Sequence, residues 1–372
     1  MKTIAIISNQ AFSLVNFRGP LIRELVSDGM VVYALAPDFD DELREQVAAL
    51  GAKPIAYSLD RTGMNPLHDT INTLRLAALL RRMKPDVTLG YFIKPVIFGT
   101  LAAWVAGVPR RIAMIEGLGF VFTPSGGELS WRRQILRRLV LWMYRISLSR
   151  AHCVIFLNPD DADDFRKYGV VHDDKAVILG GIGVDLEEWP MAPPVTKPVT
   201  FLLAARLLRE KGIPDYVEAA RIVKAHHPQT RFLLLGGLDK NPGALSQVEV
   251  QSWVDEGLLE WPGHVRVQPW LAQASVYVLP SYYREGVPRS TQEAMAMGRP
   301  VITTDVPGCR ETVVEGENGY LVPPRDPVAL ADAMIRFVDN PALIESMGAA
   351  SRRLAQERFD VREINQRLCA LL

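Results

Sequence analysis

The sequence predicts an α/β fold of two tandem doubly wound, Rossmann-like domains, and three features predict it. Short apolar runs alternate with helical patterns along both halves of the chain. The runs are continuously apolar, as in parallel strands that helices cover on both faces. The alternation stops at a proline-rich stretch near the middle and then restarts. Because doubly wound sheets bind ligands at the carboxyl ends of their strands, we expect two sites that face each other across a cleft.

The first predicted domain covers residues 1–188. Its strands are short apolar runs, and its helices repeat apolar residues at spacings of three and four. The uncharged stretch 95–109 is too short to span a bilayer and is predicted to be a buried helix. The predicted strands are 3–7, 31–36, 54–57, 87–89 and 112–115, and the other predicted helices are 21–27, 42–50 and 67–83.

Residues 189–198 contain four prolines and little periodicity, which predicts a linker. The second predicted domain covers residues 199–350. Residues 351–372 are helical in pattern, and this helix could extend the second domain or cross back to the first. In the second domain the predicted strands are 199–204, 232–235, 276–279 and 301–303, and the predicted helices are 216–226, 290–297 and 330–338.

Composition and charge exclude several classes of function. The 372 residues are 48% apolar and 23% charged, which is ordinary for a globular protein and excludes a mainly disordered chain. The 42 basic and 42 acidic residues give a net charge of zero, so there is no overall basic field for nucleic acid. However, residues 1–150 carry 19 Lys/Arg and 12 Asp/Glu, a balance of +7. Such asymmetry is typical of a protein that meets an anionic surface.

The chain is predicted to be cytoplasmic, either soluble or peripheral on a membrane. Only four apolar residues follow Met1-Lys2-Thr3, which is too few for a secretion signal. The three cysteines are far apart, as expected in a reducing compartment, and none forms a metal-binding pair. The Asp38-Phe-Asp40 sequence is interpreted as a solvated helix start, so no metal site is predicted.

Two glutamates eight positions apart give the strongest functional signal. Glu285 lies in the loop after the predicted strand 276–279, and Glu293 lies in the first turns of the next helix. The loop carboxylate could bind sugar hydroxyls, and the helix carboxylate could accept hydrogen bonds from a ribose diol. A helix N-terminus beside such a loop suits an anionic ligand. Alternatively, Glu285 is solvated and Glu293 only complements the helix dipole.

The motifs around these glutamates resemble those of the family 4 retaining glycosyltransferases. The resemblance rests on the Glu285–Glu293 spacing, on Gly298-Arg-Pro-Val-Ile and on Asn318-Gly-Tyr-Leu-Val, and it covers almost the whole chain. It implies the two-domain GT-B fold and a UDP-sugar as co-substrate, with no metal or other cofactor. It also implies that Glu293 holds the donor ribose and that Glu285 holds the donor sugar, with the backbone of Gly286, Val287 and Pro288 aiding its position.

Arg206 and Lys211 match the basic pair that holds the donor diphosphate in this family. Arg206 follows the strand 199–204, and Lys211 precedes a helix, so both can point to the carboxyl edge of the sheet. A diphosphate leaving group needs fixed positive charge there. The alternative is that both are exposed loop charges.

The first domain has a partial match to the same family. Family members usually have a glycine-rich loop near the donor phosphate, whereas the sequence Asn16-Phe-Arg-Gly-Pro20 has only Gly19. Arg18 could supply charge in place of backbone N–H groups, or it could only fix the loop. Many members have a catalytic histidine after the strand 112–115, but this chain has Glu116. Glu116 could orient the acceptor or accept its proton, or it could be structural.

Further motifs are similar to one bacterial branch of the family. They include Lys94-Pro95, residues 116–123, residues 156–161 and residues 307–311. The branch extends polyprenyl-diphosphate-linked sugars in the assembly of surface polysaccharides and glycans. The resemblance therefore implies a lipid-linked saccharide acceptor near Lys94, and an N-acetylhexosamine donor, GalNAc first.

A basic segment accounts for much of the charge asymmetry. Residues 131–150 contain six arginines and no acid, and apolar residues recur at helical spacing. A basic amphipathic helix with tryptophan is typical of contact with an anionic membrane, here the inner face of the cell membrane. The alternative is a helix whose apolar stripe packs into the core. The residues predicted to meet the membrane or its lipid-linked acceptor are Lys94, Arg132, Arg133, Arg137, Arg138 and Trp142.

Two other classes of function share these features. A nucleotide-sugar 2-epimerase can adopt the same two-domain fold, but it needs acid and base groups at the sugar C2. A non-catalytic module that binds sugar nucleotides or lipids would need neither transfer nor hydrolysis. The full set of Arg206, Lys211, Glu285 and Glu293 favours the transferase.

Overall fold

The computed structural model describes residues 1–60, 65–123, 131–239, 241 and 243–372. These residues form two compact units, each built around its own parallel sheet. Among the described residues, the first unit comprises 1–122, 131–182 and 361–372. The second comprises 123 and 183–360.

The first unit contains a seven-stranded sheet with the order β3-β2-β1-β4-β5-β6-β7. Every pairing is parallel, and the central strands are buried almost throughout, which explains their continuously apolar sequences. The strands are β1 (Thr3–Ile7), β2 (Val31–Ala36), β3 (Lys53–Ala56), β4 (Val87–Tyr91), β5 (Arg110–Ile115), β6 (Cys153–Phe156) and β7 (Ala176–Ile178).

Helices cover both faces of this sheet. Right-handed crossovers place the helices before β3 on one face and those between β3 and β7 on the other. A π-helix at Pro95–Gly99 leads directly into α5. The helices are α1 (Ala11–Asn16), α2 (Gly19–Ser27), α3 (Asp41–Ala49), α4 (Pro66–Met83), α5 (Thr100–Ala106), α6 (Trp131–Ser149) and α7 (Pro159–Lys167).

The second unit contains a six-stranded parallel sheet with the order β10-β9-β8-β11-β12-β13. Its core includes stacked Phe201 and Phe232, and the buried Tyr216 hydroxyl donates to backbone carbonyls of the sheet. The strands are β8 (Thr200–Ala204), β9 (Arg231–Leu235), β10 (Glu260–Gly263), β11 (Val276–Leu279), β12 (Val301–Thr304) and β13 (Gly319–Val322). The helices are α8 (Ile213–His226), α9 (Gln247–Asp255), α10 (Gln268–Leu271), α11 (Arg289–Ala296), α12 (Pro327–Asp339) and α13 (Ala342–Arg358).

The last helix, α14 (Val361–Cys369), belongs to the first unit and packs on α2. The preceding helix α13 belongs to the second unit, so the chain changes units after Asp360. Lys2 Nζ donates to the Leu372 carbonyl at 3.0 Å, and Arg110 Nε donates to the Leu371 carbonyl at 2.8 Å. Both chain ends are thereby fixed to the first unit.

The predicted fold class, with two all-parallel doubly wound sheets, is confirmed. The predicted strands and helices occur within a few residues of their expected bounds, except the helix predicted for 351–372. That segment is interrupted after Arg358, so its first part is the end of α13 and its second part is α14. The helix predicted within 95–109 begins as a π-helix. Several short elements carried too little periodicity to be predicted, and they are α1, α9, α10, β6, β7, β10 and β13. In the described residues, no helix combines the length and apolar character needed to cross a membrane.

Candidate active site

The candidate donor residues follow the strands β8 and β11, which are neighbours in the second sheet. A single 3₁₀ turn at Arg209–Lys211 carries Lys211 and ends at Gly212, where α8 begins. Gly212 has φ +72°, and a Cβ there would lie 2.0 Å from the Pro280 carbonyl oxygen. Only glycine therefore allows this turn to pack against the end of β11. The close approach brings Lys211 to the loop that carries Glu285.

Lys211 and Glu285 form an ion pair through Nζ and Oε1. Their side chains are only 12% and 13% exposed, so the pair is largely removed from water. Ser281 Oγ donates to the same Glu285 oxygen at 3.0 Å, and the ammonium lies 5.4 Å from the centre of the Tyr283 ring. These contacts fix the cation and the carboxylate beside each other. An anionic ligand at this edge would therefore meet a cation already held in place.

Arg206 lies in the loop after β8 and is 48% exposed. Its Nη1 lies 3.3 Å from Oδ2 of Asp239, which is a long contact for an ion pair. Exposed pairs of this kind contribute little to stability, so the guanidinium can exchange its partner at small cost. The Arg206 side chain thus contributes little to the stability of the fold and is accessible from solvent.

Glu293 lies in α11 and pairs with Arg289, whose Nε is 2.9 Å from Oε1. Burial raises the pKa of Glu293 to about 7, and the negative charge of Glu188 adds to this effect. The Arg289 guanidinium opposes the shift but does not cancel it. The carboxyl group of Glu293 therefore ionises near neutral pH. Arg289 was not identified from the sequence, although its spacing of four residues from Glu293 on a helix was a usable signal.

The loop between Glu285 and α11 is closely packed. A Cβ at Gly308, which has φ +82°, would lie 2.0 Å from the Gly286 carbonyl oxygen. Val287 is buried, and its carbonyl accepts from Gln292 Nε2 at 3.1 Å. Pro288 begins α11, and no side chain caps this helix. The backbone of residues 286–288 is thereby held rigidly at a helix N-terminus, which suits an anionic or polyhydroxyl ligand.

In the first unit, the candidates Arg18 and Glu116 form an ion pair with each other. Both side chains are buried, at 3% and 10% exposure. The Arg18 guanidinium also lies 4.6 Å from the centre of the Tyr91 ring and contacts Met114 Sδ at 3.1 Å. These contacts fit the reading in which Arg18 fixes the loop before α2. Gly19 is buried in the first position of that helix, and a Cβ there would make only ordinary contacts.

Lys94 forms a second buried ion pair in the first unit, with Nζ 2.8 Å from Asp69 Oδ1. The pair lies between α4 and the π-helix, and the adjoining pocket is also lined by Tyr57, Asn72 and Thr73. The turn before the π-helix is strained, because Phe92 has φ +69°, a left-handed conformation that non-glycine residues rarely adopt. Strain of this kind clusters at functional sites. Asp69 was not identified from the sequence.

The apolar stripe of the predicted basic helix α6 is exposed to solvent. Ile135, Leu139, Trp142 and Ile146 are exposed by 38% to 58%, whereas a different face of the helix packs inward through Val140, Tyr144 and Leu148. The alternative of a core-packed stripe is therefore wrong.

The arginines of α6 differ in their surroundings. Arg132 and Arg138 are exposed, and Arg133 is half-buried. Arg137 turns toward the protein, where its Nη2 contacts the Tyr168 hydroxyl and its guanidinium lies 5.5 Å from the centre of the Phe122 ring. Arg137 is therefore less available to an external partner than Arg132 and Arg138.

Comparison with known proteins gives the class and family of this chain. The profile described as Glycosyltransferase Family 4 matches residues 20–186, and the profile Glycosyl transferases group 1 matches residues 198–340. The chain belongs to the family 4 glycosyltransferases and has the GT-B fold. Within the described residues, no group of three or more His, Cys, Asp or Glu side chains could hold a metal ion.

Two relatives have names that refer to undecaprenyl-diphosphate-linked sugars. The chain is 27% identical over 355 residues to the N,N'-diacetylbacillosaminyl-diphospho-undecaprenol α-1,3-N-acetylgalactosaminyltransferase of Campylobacter jejuni, covering 91% of this chain and 90% of that one. It is 24% identical to the UDP-Gal:α-D-GlcNAc-diphosphoundecaprenol α-1,3-galactosyltransferase of Escherichia coli, covering 74% of this chain and 72% of that one.

Solved structures share the fold. Sucrose-phosphate synthase from Thermosynechococcus elongatus superposes with a TM-score of 0.79 at 22% identity, covering 100% of this chain and 98% of that one. HepE from Anabaena, solved with UDP and glucose, superposes with a TM-score of 0.75 at 17% identity, covering 100% and 99%.

Proposed function

We propose that this glycosyltransferase moves a sugar from a UDP-sugar to a polyprenyl-diphosphate-linked saccharide, with N-acetylgalactosamine as the first candidate donor sugar. The observation that carries the proposal is the fixed Lys211–Glu285 pair at the carboxyl edge of the second sheet. The printed activity of the Campylobacter relative supports the choice of donor and acceptor. The transfer would serve the assembly of surface polysaccharide or glycan.

In this proposal the predicted second domain, residues 199–350, which lies within the second unit, binds the donor. Lys211 and Arg206 bind the diphosphate, and Glu293 accepts hydrogen bonds from the ribose hydroxyls. Glu285 binds the donor sugar, aided by the backbone of residues 286–288. Residues 1–188 bind the acceptor, 189–198 link the two parts, and the helix within 351–372 returns to the first. The association of α14 with the first unit supports this last assignment.

We propose that the reaction retains the configuration at the anomeric carbon and needs no metal. The bond from sugar C1 to the diphosphate oxygen breaks, and a bond from C1 to the acceptor oxygen forms on the same face. The departing phosphate oxygen takes the proton of the acceptor hydroxyl. Lys211 and Arg206 neutralise the negative charge that grows on the diphosphate, which lowers the energy of the transition state. Glu116 stays a candidate for orienting the acceptor through its pair with Arg18.

The acceptor assignment rests on two features of the first unit. Between α4 and the π-helix, the Lys94–Asp69 pair lies beside the Asn72 amide and the Thr73 hydroxyl, which are groups of the kind that bind saccharide hydroxyls. The exposed stripe and arginines of α6 suit an anionic bilayer, where a lipid-linked acceptor resides. We therefore place the protein at the inner face of the cell membrane.

The raised pKa of Glu293 gives the donor affinity a specific pH dependence. If the ionised carboxylate accepts from the ribose, donor binding strengthens as pH rises through 7. The affinity for UDP-GalNAc should increase about tenfold from pH 6 to pH 8, because most Glu293 is protonated at the lower pH. Titration calorimetry without acceptor measures this. The diphosphate of UDP-GalNAc is a diester, so the ligand itself does not titrate in this range.

The matched control for this measurement is Glu293→Gln, which removes the titrating group. Its donor affinity should vary little between pH 6 and pH 8. A wild-type affinity that does not change with pH, or an equal slope in both proteins, would show that Glu293 does not hold the donor in its ionised form.

A donor screen tests the proposed function. Purified protein is incubated with membrane lipid extract and each of a panel of UDP-sugars, and UDP release is measured. We expect release with one donor, dependent on the lipid extract. A nucleotide-sugar 2-epimerase would instead convert UDP-N-acetylhexosamine to its epimer without any acceptor, which NMR detects. A binding module would produce neither UDP nor epimer.

A further inference from the structure

Three helices form one outer layer of the first unit. The crossovers from β3 to β6 place α4, α5 and α6 on the same face of the sheet. In agreement with this, α5 packs against both α4 and α6. The outer surfaces of these helices therefore form one continuous face, with α5 in the middle.

This face has an apolar stripe on α4 in addition to that on α6. Leu67, Ile71 and Leu74 recur at spacings of four and three, and they are exposed by 76%, 45% and 56%. Between the two stripes, Trp104 of α5 is 44% exposed. Of the sixteen large apolar side chains exposed in the described part of the chain, nine lie on these three helices. Concentration on one face is unlike the scattered exposure of a typical surface.

The same face is strongly positive. The three helices contain eight arginines and a single acid, Asp69, which is buried and paired with Lys94. No carboxylate of these helices is therefore exposed to an approaching anionic surface. The cation–π contact between Arg150 and the ring of Trp104, at 4.3 Å, joins the end of α6 to α5. Positive charge and exposed apolar groups are thus interleaved across the layer.

We propose that α4, α5 and α6 together form a footprint for an anionic bilayer, with Leu67, Ile71 and Leu74 inserting as a second apolar stripe beside that of α6. The inference rests on the proposed membrane contact of α6 and extends the contact surface to α5 and α4. Two separated stripes hold the unit in one orientation on the bilayer, which a single helix cannot do.

A bilayer fits this face better than a second copy of the chain. A self-complementary interface needs opposite charges to meet, and these helices supply positive charge alone. A membrane rich in anionic lipid supplies the complementary charge over the whole face.

Vesicle binding tests the footprint. The full chain is cosedimented with phosphatidylethanolamine–phosphatidylglycerol vesicles and with pure phosphatidylcholine vesicles. The variant Leu67→Ser/Ile71→Ser/Leu74→Ser should bind the anionic vesicles at least about tenfold more weakly than the wild type, because three inserted side chains are lost. The variant Ile135→Ser/Leu139→Ser/Trp142→Ser should be weakened similarly. A control, Val248→Ser/Val328→Ser, removes two exposed apolar side chains of the second unit and should bind as the wild type does.

The outcomes separate the inference from the proposal on which it rests. If the α4 variant binds as the wild type does while the α6 variant does not, the footprint is confined to α6. If the wild type itself does not bind anionic vesicles, the proposed membrane contact fails as well. A wild-type dimer in light scattering that dissociates in the α4 variant would assign the face to self-association. UDP-sugar affinity should be equal in all variants, since none alters the donor residues.

Discussion

Replacing Lys211 or Arg206 by alanine should lower the turnover number by about two to three orders of magnitude. In the proposed mechanism both cations neutralise the charge that develops on the leaving diphosphate, and that charge is largest in the transition state. Initial rates of UDP release at saturating donor measure the effect. Arg206→Ala should perturb the surrounding structure less than Lys211→Ala, because the exposed Arg206 side chain makes only a long contact with Asp239. Lys211→Ala also deprives Glu285 of its ion-pair partner.

The matched control is Arg209→Ala. Arg209 lies in the same 3₁₀ turn as Lys211 and is also a cation, but it is 49% exposed and pairs with Glu249. Its loss should leave turnover near that of the wild type. Turnover that remains near wild type in both the Arg206→Ala and Lys211→Ala proteins would refute the donor site. An equal loss in all three variants would indicate a general effect of the turn.

Breaking the pair between Arg18 and Glu116 should strongly destabilise the first unit. Arg18→Met leaves the Glu116 carboxylate buried without its cation, and Glu116→Gln leaves the Arg18 guanidinium buried without its anion. Each variant should therefore lose about 3–5 kcal/mol of unfolding free energy. The double variant should lose much less than the sum of the two, because it removes both charges. Urea unfolding of the three variants, followed by circular dichroism, gives the coupling free energy.

This cycle decides what Arg18 and Glu116 do. The pair fixes the loop before α2 if the coupling free energy is large and both single variants, while folded, keep the donor affinity of the wild type. Additive losses of stability would show that the pair is not coupled. If Arg18→Met binds the donor more weakly at temperatures where it stays folded, Arg18 contributes to phosphate binding.

The second unit could be predicted well because its signals are local in sequence. Glu285 and Glu293 belong to one continuous segment that runs from β11 through a loop into α11. Their spacing alone places Glu285 on the loop and Glu293 on the helix. Gly212 next to Lys211 marks a turn that only glycine can form. The pairing of Lys211 with Glu285 is not local, yet both residues follow neighbouring strands of the same sheet, so their proximity follows from the fold class.

The first unit was harder to predict for the opposite reason. Arg18 and Glu116 meet because α2 begins near the end of β5, and no local pattern couples residues so far apart in sequence. The apolar periodicity of α4 does not show which of its faces is buried. Leu67, Ile71 and Leu74 have the spacing of a core face, yet they are exposed. Only the packing of α4 on α5 shows that other residues fill the core, namely Leu76, Ala77 and Leu80. Sequence periodicity identifies an apolar face but does not tell what covers it.

The mass of the acceptor lipid shows directly whether this enzyme transfers an N-acetylhexosamine to a lipid-linked saccharide. Protein, UDP-GalNAc and an undecaprenyl-diphosphate-linked N-acetylhexosamine are incubated, and the lipid is analysed by mass spectrometry. The lipid should gain one N-acetylhexosamine unit with wild-type protein, and no gain should be detectable with Lys211→Ala over the same initial period. An unchanged lipid mass across the whole panel of UDP-sugars, with wild-type protein that binds the donor, would contradict the proposed transfer.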